Sequence, residues 1–504
     1  MDVLIRVDSS QKIGSGHVVR SLTLAERLRA RGAHVQFLSC EMPGNVLALV
    51  RHAGFGVLPL SLPAAGGDTE SDSIWFHGKS WQADAAECLS LARAFAEGVD
   101  WLIVDHYGVD RRWEAQMRPH VKRIAVIDDL ANRSHDCDLL IDPNLQVENF
   151  SRYDGLVPPE CFRMQGPKYA LLRPEFAEQR VTLRKRDGQV RRILVSFGGT
   201  DPSDQTSKTL QAIASLQRDG IATDVVVGAT NPHNETVREF CLAHPGFAFH
   251  CQTEKLAHLM AAADLAIGAG GITTWERCAV ALPSIVITVA DNQVPSTLAM
   301  AEHGCLLYLG NGDEVSAEAI AHIVAGLLEM PRWLLLMSAR SAELVDGRGA
   351  ERIARFFTTP VSTLREARWE DSEAILAWRN DEQTRSVSHD SRPILVEDHE
   401  RWFRQALSNP ERILLIAEVE GSAVGMLRYD MEREKAIVSI NLGPEWRGQG
   451  LGVQLLRSGT EWMRRHHPGV REIRAEVLHQ NKASHAVFVD AGYIPYCSTY
   501  KLIC

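Results

Sequence analysis

A glycine-rich segment near the start of the chain has the composition of an anion-binding loop. Gly14 and Gly16 follow the apolar run Val3 to Val7, and His17 stands where an amphipathic helix is predicted to open. A loop that ends a strand and begins a helix points backbone N–H groups and the positive helix end at an anion. Val19 stands at the third glycine position of a dinucleotide fingerprint, and the Gly-Lys-Ser/Thr of a P-loop does not follow. The segment therefore predicts an anion site that is neither a dinucleotide fingerprint nor a P-loop.

A second glycine-rich segment repeats this arrangement later in the chain. Gly268 to Gly271 follow an apolar run and precede a helical pattern that contains Thr273 and Glu276. This segment also lacks the dinucleotide pattern. Because open parallel sheets bind ligands at the carboxyl ends of their strands, the two loops predict a phosphate-bearing ligand in a cleft between two halves.

The functional side chains beside these loops each have two interpretations. At the first turn of a helix the dipole disfavours the imidazolium form, so His17 is either a neutral general base or a residue that caps or packs against its loop. Glu276, expected in the first turn of its own helix, either complements the helix dipole or accepts hydrogen bonds from ribose hydroxyls. Asp105, His106 and Tyr107 are further cleft candidates or strand-end caps.

Short β-branched runs alternate with longer amphipathic ones around these loops, which is typical of βαβ units and a parallel sheet. The predicted strands lie at 3–7, 35–39, 101–105 and 124–127, then at 193–196, 224–227, 265–267 and 284–287. We therefore predict an α/β protein with two Rossmann-like halves. The predicted boundaries are 1–165 and 166–357 for the halves, 358–363 for a polar linker and 364–504 for a third unit, with strands at 413–419, 424–429 and 436–442.

Composition excludes several classes of function. The 504 residues contain 54 Lys plus Arg and 64 Asp plus Glu, a net charge of −10, which lacks the basic footprint of a nucleic-acid binder. No signal peptide or membrane span is expected, and the 10 cysteines contain no C-x-x-C pair. We expect a soluble cytoplasmic protein with no membrane partner. Cys241, His244, His250 and Cys251 have poor zinc spacing, and no metal is expected.

Residues 1–357 carry six short strings that together resemble the UDP-sugar hydrolase family of pseudaminic acid biosynthesis. The strings are Ile13 to Arg20, Val126 to Ala131, Asp142 to Asn144, Tyr169 to Phe176, Ser196 to Pro202 and Gly268 to Glu276. The resemblance implies a glycosyltransferase-B-like fold. It also implies that water attacks the anomeric carbon of UDP-2,4-diacetamido-2,4,6-trideoxy-β-L-altropyranose and releases UDP, with inversion and without a metal.

The same resemblance implies roles for individual residues. His17 would activate or position the water, Gly270 and Gly271 with the following helix start would hold the diphosphate, and Glu276 would take the ribose. The other implied substrate-binding residues lie in the two loops, at the end of the first strand and in a later loop: Gly14, Gly16, Thr273, Arg6, Asp8 and Asn292. One base can suffice, because UDP leaves readily once N–H donors and helix dipoles stabilise its charge.

A glycine-rich segment in the third unit resembles the acyl-CoA signature of the GCN5-related N-acetyltransferases. Arg447, Gly448, Gln449, Gly450 and Gly452 fit the pattern Arg/Gln-x-x-Gly-x-Gly/Ala between a β-rich run and an amphipathic helix. In that family the N–H groups of the loop and helix start bind the pyrophosphate of coenzyme A. The resemblance implies acetyl-CoA as co-substrate. It extends to Asn481 and to the closing Ala491-Gly492-Tyr493.

The third unit departs from that family at one position. Seven residues after Asn481, where many of these enzymes have a tyrosine that protonates the departing thiolate, the chain has Phe488. Tyr493, Tyr496 and Tyr500 lie near in sequence, and water or the substrate could also return the proton. The segment 378–380 with His399 and Trp402 is similar to the acceptor side of the sugar-nucleotide acetyltransferase of the same pathway, although such aromatic helix faces more often belong to a core.

Together these resemblances predict a fused enzyme for two consecutive steps. The acetyltransferase would acetylate the 4-amino group of UDP-4-amino-4,6-dideoxy-N-acetyl-β-L-altrosamine, and the hydrolase would then release UDP, giving a nonulosonic acid precursor for flagellin or surface glycans. Two alternatives stay open: a UDP-sugar glycosyltransferase, since the same fold can transfer a sugar to an acceptor, and a nucleotide-sugar-binding regulatory protein with a degenerate acetyltransferase. The acetyltransferase alone could also act on a protein target.

Overall fold

The chain divides into two compact units, Met1–Ala354 (the first unit) and Arg355–Cys504 (the second unit). The computed structural model describes residues 1–62, 79–93, 95, 98–145, 152–218, 220–358, 363–388, 390–419, 421–448 and 450–494. The predicted linker at 358–363 lies mostly outside the described residues, as do Gln449, Tyr496 and Tyr500. The border between the units falls within the helix Gly349–Thr358.

Seven parallel strands form the sheet of the first half of the first unit. Their order is β3-β2-β1-β4-β5-β6-β7. The strands are β1 (Asp2–Val7), β2 (His34–Cys40), β3 (Gly56–Leu60), β4 (Val99–Asp105), β5 (Val121–Ile127), β6 (Leu139–Asp142) and β7 (Phe162–Gln165). Four described helices accompany them: α1 (Gly16–Arg29), α2 (Leu47–His52), α3 (Trp81–Ala92) and α4 (Arg111–Met117). Central strands such as β1 are buried at nearly every position because both faces of a parallel sheet are covered.

Six parallel strands form the second sheet, in the order β10-β9-β8-β11-β12-β13. They are β8 (Arg192–Ser196), β9 (Ala222–Val227), β10 (Phe247–Cys251), β11 (Leu265–Gly268), β12 (Ser284–Thr288) and β13 (Leu307–Asn311). The helices are α5 (Pro174–Val181), α6 (Gln205–Ser215), α7 (Asn234–Ala243), α8 (Leu256–Ala262), α9 (Ile272–Ala279), α10 (Val294–Glu302), α11 (Ala317–Leu328), α12 (Pro331–Leu344) and α13 (Gly349–Thr358). The predicted class of two Rossmann-like domains is confirmed.

The strand order decides where ligands can enter each half. In the first sheet the order reverses between β1 and β4, and in the second between β8 and β11. At such a switch point the loops after the two central strands diverge to opposite faces and leave a crevice at the carboxyl edge. The loop after β1 is the segment 8–15 and the loop after β11 is 269–271, so both predicted glycine loops lie at switch points.

The second unit is a mixed sheet of five strands, in the order β14-β15-β16-β17-β18. The strands are β14 (Thr363–Glu366), β15 (Arg412–Val419), β16 (Ser422–Glu432), β17 (Lys435–Leu442) and β18 (Glu472–Arg474). Neighbouring strands are antiparallel except β17 and β18, which are parallel. The helices are α14 (Ser372–Asn380), α15 (Glu382–Ser386), α16 (Val396–Ser408), α17 (Leu451–His466) and α18 (Lys482–Asp490).

Two cores fill the opposite faces of this sheet. Leu427 and Tyr429 of β16 pack with Leu455 of α17 on one face, while Met426 packs with Phe403 of α16 on the other. The alternation of neighbouring residues between faces is the period of two expected of a strand.

In the part of the chain that the structure describes, no single helix is long and apolar enough to span a membrane. The helical segments 317–328 and 331–358 are long and apolar enough only when they are taken together, and they meet at a bend of 95°.

Helix α17 lies close to the sheet at Gly459. A Cβ at this position would lie 2.4 Å from both Leu427 Cδ1 and Tyr429 Oη. We expect Gly459→Ala to lower the free energy of unfolding of the second unit by about 1–3 kcal/mol, because the methyl group overpacks the core. Urea unfolding of the full chain measures the change.

The matched control is Gly469→Ala, since a Cβ at Gly469 meets no atom within 4 Å. Its effect should stay within about 0.5 kcal/mol. Equal losses of stability in both variants would contradict the packing of α17 against β16.

Candidate active site

The imidazole of His17 is held by a buried carboxylate at the switch point of the first sheet. His17, the second residue of α1, places Nδ1 2.6 Å from Asp105 Oδ1 at the end of β4. Arg20, one turn further along α1, donates from Nε to Asp105 Oδ2 at 2.7 Å and from Nη2 to Oδ1 at 2.6 Å. Ser21 Oγ donates to Oδ2 at 3.1 Å. The carboxylate of Asp105 thus contacts three side chains in the first two turns of α1, those of His17, Arg20 and Ser21.

The charge state of Asp105 follows from these contacts. Burial opposes its ionisation, but the charge of Arg20 and the hydrogen bonds from Arg20 and His17 hold the pKa of the carboxyl well below its usual range. Nδ1 of His17 lies 2.6 Å from Asp105 Oδ1 and 3.2 Å from Arg20 Nη2. An ionised Asp105 only accepts hydrogen bonds, so the shorter contact favours a proton on Nδ1 and leaves Nε2 as the basic nitrogen. This is the arrangement of a histidine general base with a carboxylate that orients it.

Tyr107 and Asp129 form a second set of contacts around His17 and Arg20. The ring of Tyr107 lies edge-on to that of His17, with centroids 4.5 Å apart. Tyr107 Oη donates to Asp129 Oδ1 at 2.5 Å, and Arg20 Nη1 donates to Asp129 Oδ2 at 3.0 Å. Burial and the neighbouring charge of Asp129 raise the pKa of Tyr107, so its hydroxyl stays protonated. These contacts restrict the His17 ring to one orientation.

The loop before α1 is closed by its own backbone. Gly14 has φ +81°, a conformation that favours glycine, and its N–H donates to Ser10 O at 2.8 Å. Ser10 Oγ accepts a hydrogen bond from Ile13 N at 3.1 Å. A Cβ on Gly16 would lie 3.5 Å from Ile272 Cδ1, at the start of α9. The two predicted loops therefore meet across the cleft of the first unit.

The second loop requires glycine for close backbone approach. A Cβ on Gly268 would lie 2.1 Å from Ser196 O, and one on Gly270 would lie 3.0 Å from both Gln293 Cβ and Thr297 Oγ1. Gly271 has φ +83° and forms the N-cap of α9. The N–H groups at the start of α9 have no side-chain cap and are placed to bind an anion.

Glu276 lies next to this loop, in the second turn of α9 rather than the first. The helix begins at Ile272, so the expected benefit from the helix dipole is reduced, since it falls off beyond the first turn. The carboxylate is 6% exposed, and its closest cation in the described residues is Arg173 Nη2 at 4.0 Å. Burial raises the pKa of Glu276, which is the situation of a carboxylate that lacks close donors. Ligand hydroxyls could supply those donors.

Other predicted substrate residues are placed differently. Arg6 is fully buried, with Nη2 2.9 Å from Asp84 Oδ2 and Nη1 2.8 Å from Asp8 Oδ1. Asp8 also accepts from Cys40 N at 2.8 Å. The structure therefore places Arg6 and Asp8 in a buried ion-pair network under the loop, and Asn292 on the surface beside the second loop.

Thr273 lies with its hydroxyl turned back to the loop, 3.4 Å from Gly270 O. The two histidines considered as zinc ligands bond elsewhere: His250 Nε2 contacts Asp224 Oδ1 at 2.9 Å, and His244 Nδ1 contacts Phe240 O at 2.8 Å. Cys241 is buried, while Cys251 is exposed. Across the described ranges no three His, Cys, Asp or Glu side chains are grouped to hold a metal.

The glycine loop of the second unit opens α17. Gly448 and Gly450 have φ of +71° and +85°, and Gly450 is the N-cap of the helix. Gly452 lies against α18, where a Cβ would be 3.1 Å from Val487 Cγ1. The N–H groups of this helix start are thus left for a ligand, while Gln449 lies outside the described residues.

The polar side chains predicted beside this loop bond within the protein. Arg447 Nη1 lies 2.6 Å from Asp381 Oδ2, and its Nη2 donates to Thr384 Oγ1 at 2.8 Å. Asn481 caps α18 by accepting from Ser484 N at 3.0 Å. These contacts occupy both side chains within the protein, which leaves the backbone N–H groups of the helix start as the candidate donors to a ligand.

Phe488 and His399 both belong to cores of the second unit. Phe488 is buried, with its ring 5.0 Å from that of Tyr493 in an edge-on contact. His399 stacks on Phe403 and its Nε2 lies 2.9 Å from Ser372 O. Burial lowers the pKa of His399. The structure thus gives His399 a packing role between α16 and α14.

Sequence reasoning named Asp105 and Tyr107 as candidates but did not connect them with His17, and it did not assign Arg20 a role. Arg20 lies three residues after His17, a spacing that places both on one helix face. That spacing was a usable signal. The pairing with Asp105 depends on β1 and β4 being neighbours in the sheet, which no local pattern reveals.

Comparison with known proteins relates both units to established enzymes. Residues 372–493 match the acetyltransferase (GNAT) family, so the second unit contains a GNAT domain. The UDP-2,4-diacetamido-2,4,6-trideoxy-beta-L-altropyranose hydrolase of Campylobacter jejuni is 29% identical over 262 residues, which are 52% of this chain and 81% of that protein. The spore coat polysaccharide biosynthesis protein SpsG of Bacillus subtilis is 31% identical over 194 residues, 38% of this chain and 56% of that protein.

A solved structure supports the fold of the first unit. The crystal structure of Acinetobacter baumannii MurG has a TM-score of 0.50 at 13% identity and covers 71% of this chain and 99% of that one. This confirms the predicted glycosyltransferase-B-like fold. The chain is thus a homologue of nucleotide-sugar-processing enzymes that carries a C-terminal GNAT domain, and the predicted resemblance to a hydrolase–acetyltransferase fusion is confirmed.

Asp142, at the end of β6, gives the first unit a defined pH dependence. Burial raises the pKa of its carboxyl to about 7, against the charge of Arg152, whose Nη1 lies 3.1 Å from Oδ2. Between the unfolded value of 3.8 and about 7, the native state keeps a proton that the unfolded state has lost. Stability therefore falls as the pH rises through this range. We expect the wild type to lose stability relative to Asp142→Asn between pH 5 and pH 8, as measured by urea unfolding.

Asp84→Asn is the control for this measurement. Burial opposes the ionisation of Asp84, but Arg6 holds its pKa below the usual range, so Asp84 is ionised in both states from pH 5 to pH 8. The stability difference between this variant and wild type should stay constant. If the stability difference between Asp142→Asn and wild type is also constant from pH 5 to pH 8, Asp142 is ionised in the native state.

Proposed function

We propose that the chain is a bifunctional nucleotide-sugar enzyme in which the first unit hydrolyses a UDP-activated sugar and the second acetylates an amino sugar from acetyl-CoA. The observation that carries the hydrolase is the His17–Asp105 contact of 2.6 Å, placed where two glycine loops meet at the switch points of two parallel sheets. A base and an anion site on one cleft are the two components that release of a nucleoside diphosphate requires.

The hydrolysis follows from these positions. Nε2 of His17 takes a proton from water as the water oxygen attacks the anomeric carbon, and the bond from that carbon to the diphosphate oxygen breaks. Asp105 stabilises the imidazolium that forms, and the N–H groups at the start of α9 stabilise the charge of the departing diphosphate. Attack opposite the leaving group inverts the anomeric carbon. No second carboxylate is needed, because the diphosphate leaves without protonation.

The substrate we propose is UDP-2,4-diacetamido-2,4,6-trideoxy-β-L-altropyranose, which would place the chain in pseudaminic acid biosynthesis. The similarity to the Campylobacter hydrolase that acts on this sugar supports it. Glu276, a buried carboxylate without close donors, suits the ribose hydroxyls of UDP. Asn292 is exposed beside the loop and could reach the sugar.

The acetyl transfer uses the backbone of the second unit. N–H groups at the start of α17 would hold the pyrophosphate of acetyl-CoA, and the 4-amino group of the UDP-amino sugar would attack the thioester carbonyl. The tetrahedral adduct then breaks its carbon–sulfur bond and releases the coenzyme A thiolate. Because Phe488 has no proton to give, the thiolate takes its proton from water or from the nitrogen that became positively charged when it attacked. The product carries the second acetamido group that the hydrolase substrate needs. Acetylation therefore precedes hydrolysis, and the fusion joins consecutive steps.

Loss of the base should abolish hydrolysis. We expect His17→Ala to lower kcat about 10²- to 10⁴-fold, because no group remains to accept the water proton. Asp105→Asn should lower kcat by ~10²-fold or more, because an amide can donate to Nδ1 and so favour the wrong tautomer. Proton NMR of the diacetamido UDP-sugar measures UDP release and the anomer formed.

His135→Gln is the matched control, since His135 is also buried, places Nδ1 2.7 Å from Glu114 Oε1 and belongs to neither glycine loop. It should retain kcat. Full activity of His17→Ala would refute the assignment of the base. A substrate that stays intact until an acceptor is added would instead indicate a glycosyltransferase.

Acetyl-CoA binding should depend on the loop before α17. We expect Gly450→Val to raise the KM for acetyl-CoA at least ~10-fold, because φ +85° strains a β-branched residue and its side chain covers the N–H groups. Gly421, with φ +80° in the turn between β15 and β16, provides the control: Gly421→Val introduces similar strain and should leave this KM unchanged. A thiol-release assay measures both. Equal effects would show that strain alone is responsible.

A further inference from the structure

Arg277 of α9 lies behind the second glycine loop. Its side chain is 1% exposed, and Nη2 donates to Ala269 O at 2.8 Å and to Thr274 Oγ1 at 3.1 Å. Nη1 lies 3.4 Å from Thr273 Oγ1. A Cβ on Gly268 would lie 3.1 Å from Nη1, so the guanidinium also touches the strand end from which the loop departs. The guanidinium thus binds both ends of the loop.

The surroundings of the Arg277 guanidinium differ from those of the other buried arginines near the cleft. Arg6 and Arg20 each contact two carboxylates. Arg277 forms no ion pair with any carboxylate in the described residues, and its Nε has no hydrogen-bond partner there. Burial lowers its pKa to about 10, so the group stays charged at neutral pH. A buried cation without a close counter-ion is costly, and an anion bound nearby would offset that cost.

We propose that Arg277 is the fixed positive charge of the diphosphate site and the positioning residue of its loop. The inference rests on the proposed function and deepens it by assigning a counter-charge to the leaving group. From behind the loop the guanidinium would favour an anion bound on the N–H groups of Gly271 and the start of α9. Its effect should grow with ligand charge, because departure of a diphosphate adds negative charge there.

If this role is right, loss of Arg277 weakens the binding of charged ligands selectively and leaves the binding of uncharged ligands nearly unchanged. Arg277→Met should weaken UDP binding at least ~10-fold while uridine, bound through its base and ribose, changes less than ~2-fold. Arg277→Lys should recover most of the UDP affinity, since it keeps the charge and loses only the fork of donors. Titration calorimetry for UDP and UMP and saturation-transfer NMR for uridine give the affinities.

Arg186→Met is the matched control. Arg186 is also buried, has a pKa lowered to about 10 by burial, and donates to carbonyls at the ends of α8 and α9, among them Ala263 O and Val280 O. It should lose thermal stability as Arg277→Met does and keep the wild-type ratio of UDP to uridine affinity.

Two outcomes would overturn the inference. Equal weakening of UDP and uridine in Arg277→Met would mean that the residue only supports the fold, and unchanged UDP affinity would mean that its charge does not reach the ligand. Failure of the proposed function is distinguishable, because a wild-type chain that does not bind UDP would reject the nucleotide site before any variant is compared.

Discussion

The contact between Asp105 and the first turns of α1 is the interaction on which the first unit's site depends. Asp105 ends β4, and α1 follows β1, its neighbour in the sheet. Because Asp105 is buried and ionised, it must be surrounded by donors, and His17, Arg20 and Ser21 supply them. The requirement to satisfy one buried charge therefore fixes the helix, the ring orientation and the tautomer of the histidine together.

Glycine sets the second constraint. At Gly268 and Gly270 a side chain would collide with Ser196 or with Gln293 and Thr297, so the loop can run close to both neighbours only without a Cβ. The same principle recurs in the second unit, where Gly450 takes a left-handed conformation and Gly452 lies against α18. In both units the candidate donors to a ligand are backbone N–H groups, whose positions are set by the fold rather than by side-chain rotamers.

Buried charged side chains near the cleft have three kinds of partners. Arg6 forms ion pairs with both Asp8 and Asp84 and so holds β1 to α3. Arg20 neutralises Asp105 and orients the base at the same time. Among the described residues, the closest cation to Glu276 is Arg173 Nη2 at 4.0 Å, and Arg277 donates to loop and helix oxygens but forms no ion pair. The first arrangement stabilises the fold, whereas the last is the one for which we propose a role in binding groups of a ligand.

The sequence by itself determined the α/β class, the two parallel sheets, the two glycine loops and the mixed unit that follows, because apolar periodicity and glycine placement are local properties of the chain. It also singled out His17 and Glu276. It could not separate Arg6 and Asp8 from ligand-binding residues, nor join His17 to Asp105, 88 residues away. Those outcomes depend on which strands are neighbours and on which charges become buried together. Only the tertiary structure decided them, because burial and pairing of charge arise from contacts between distant segments.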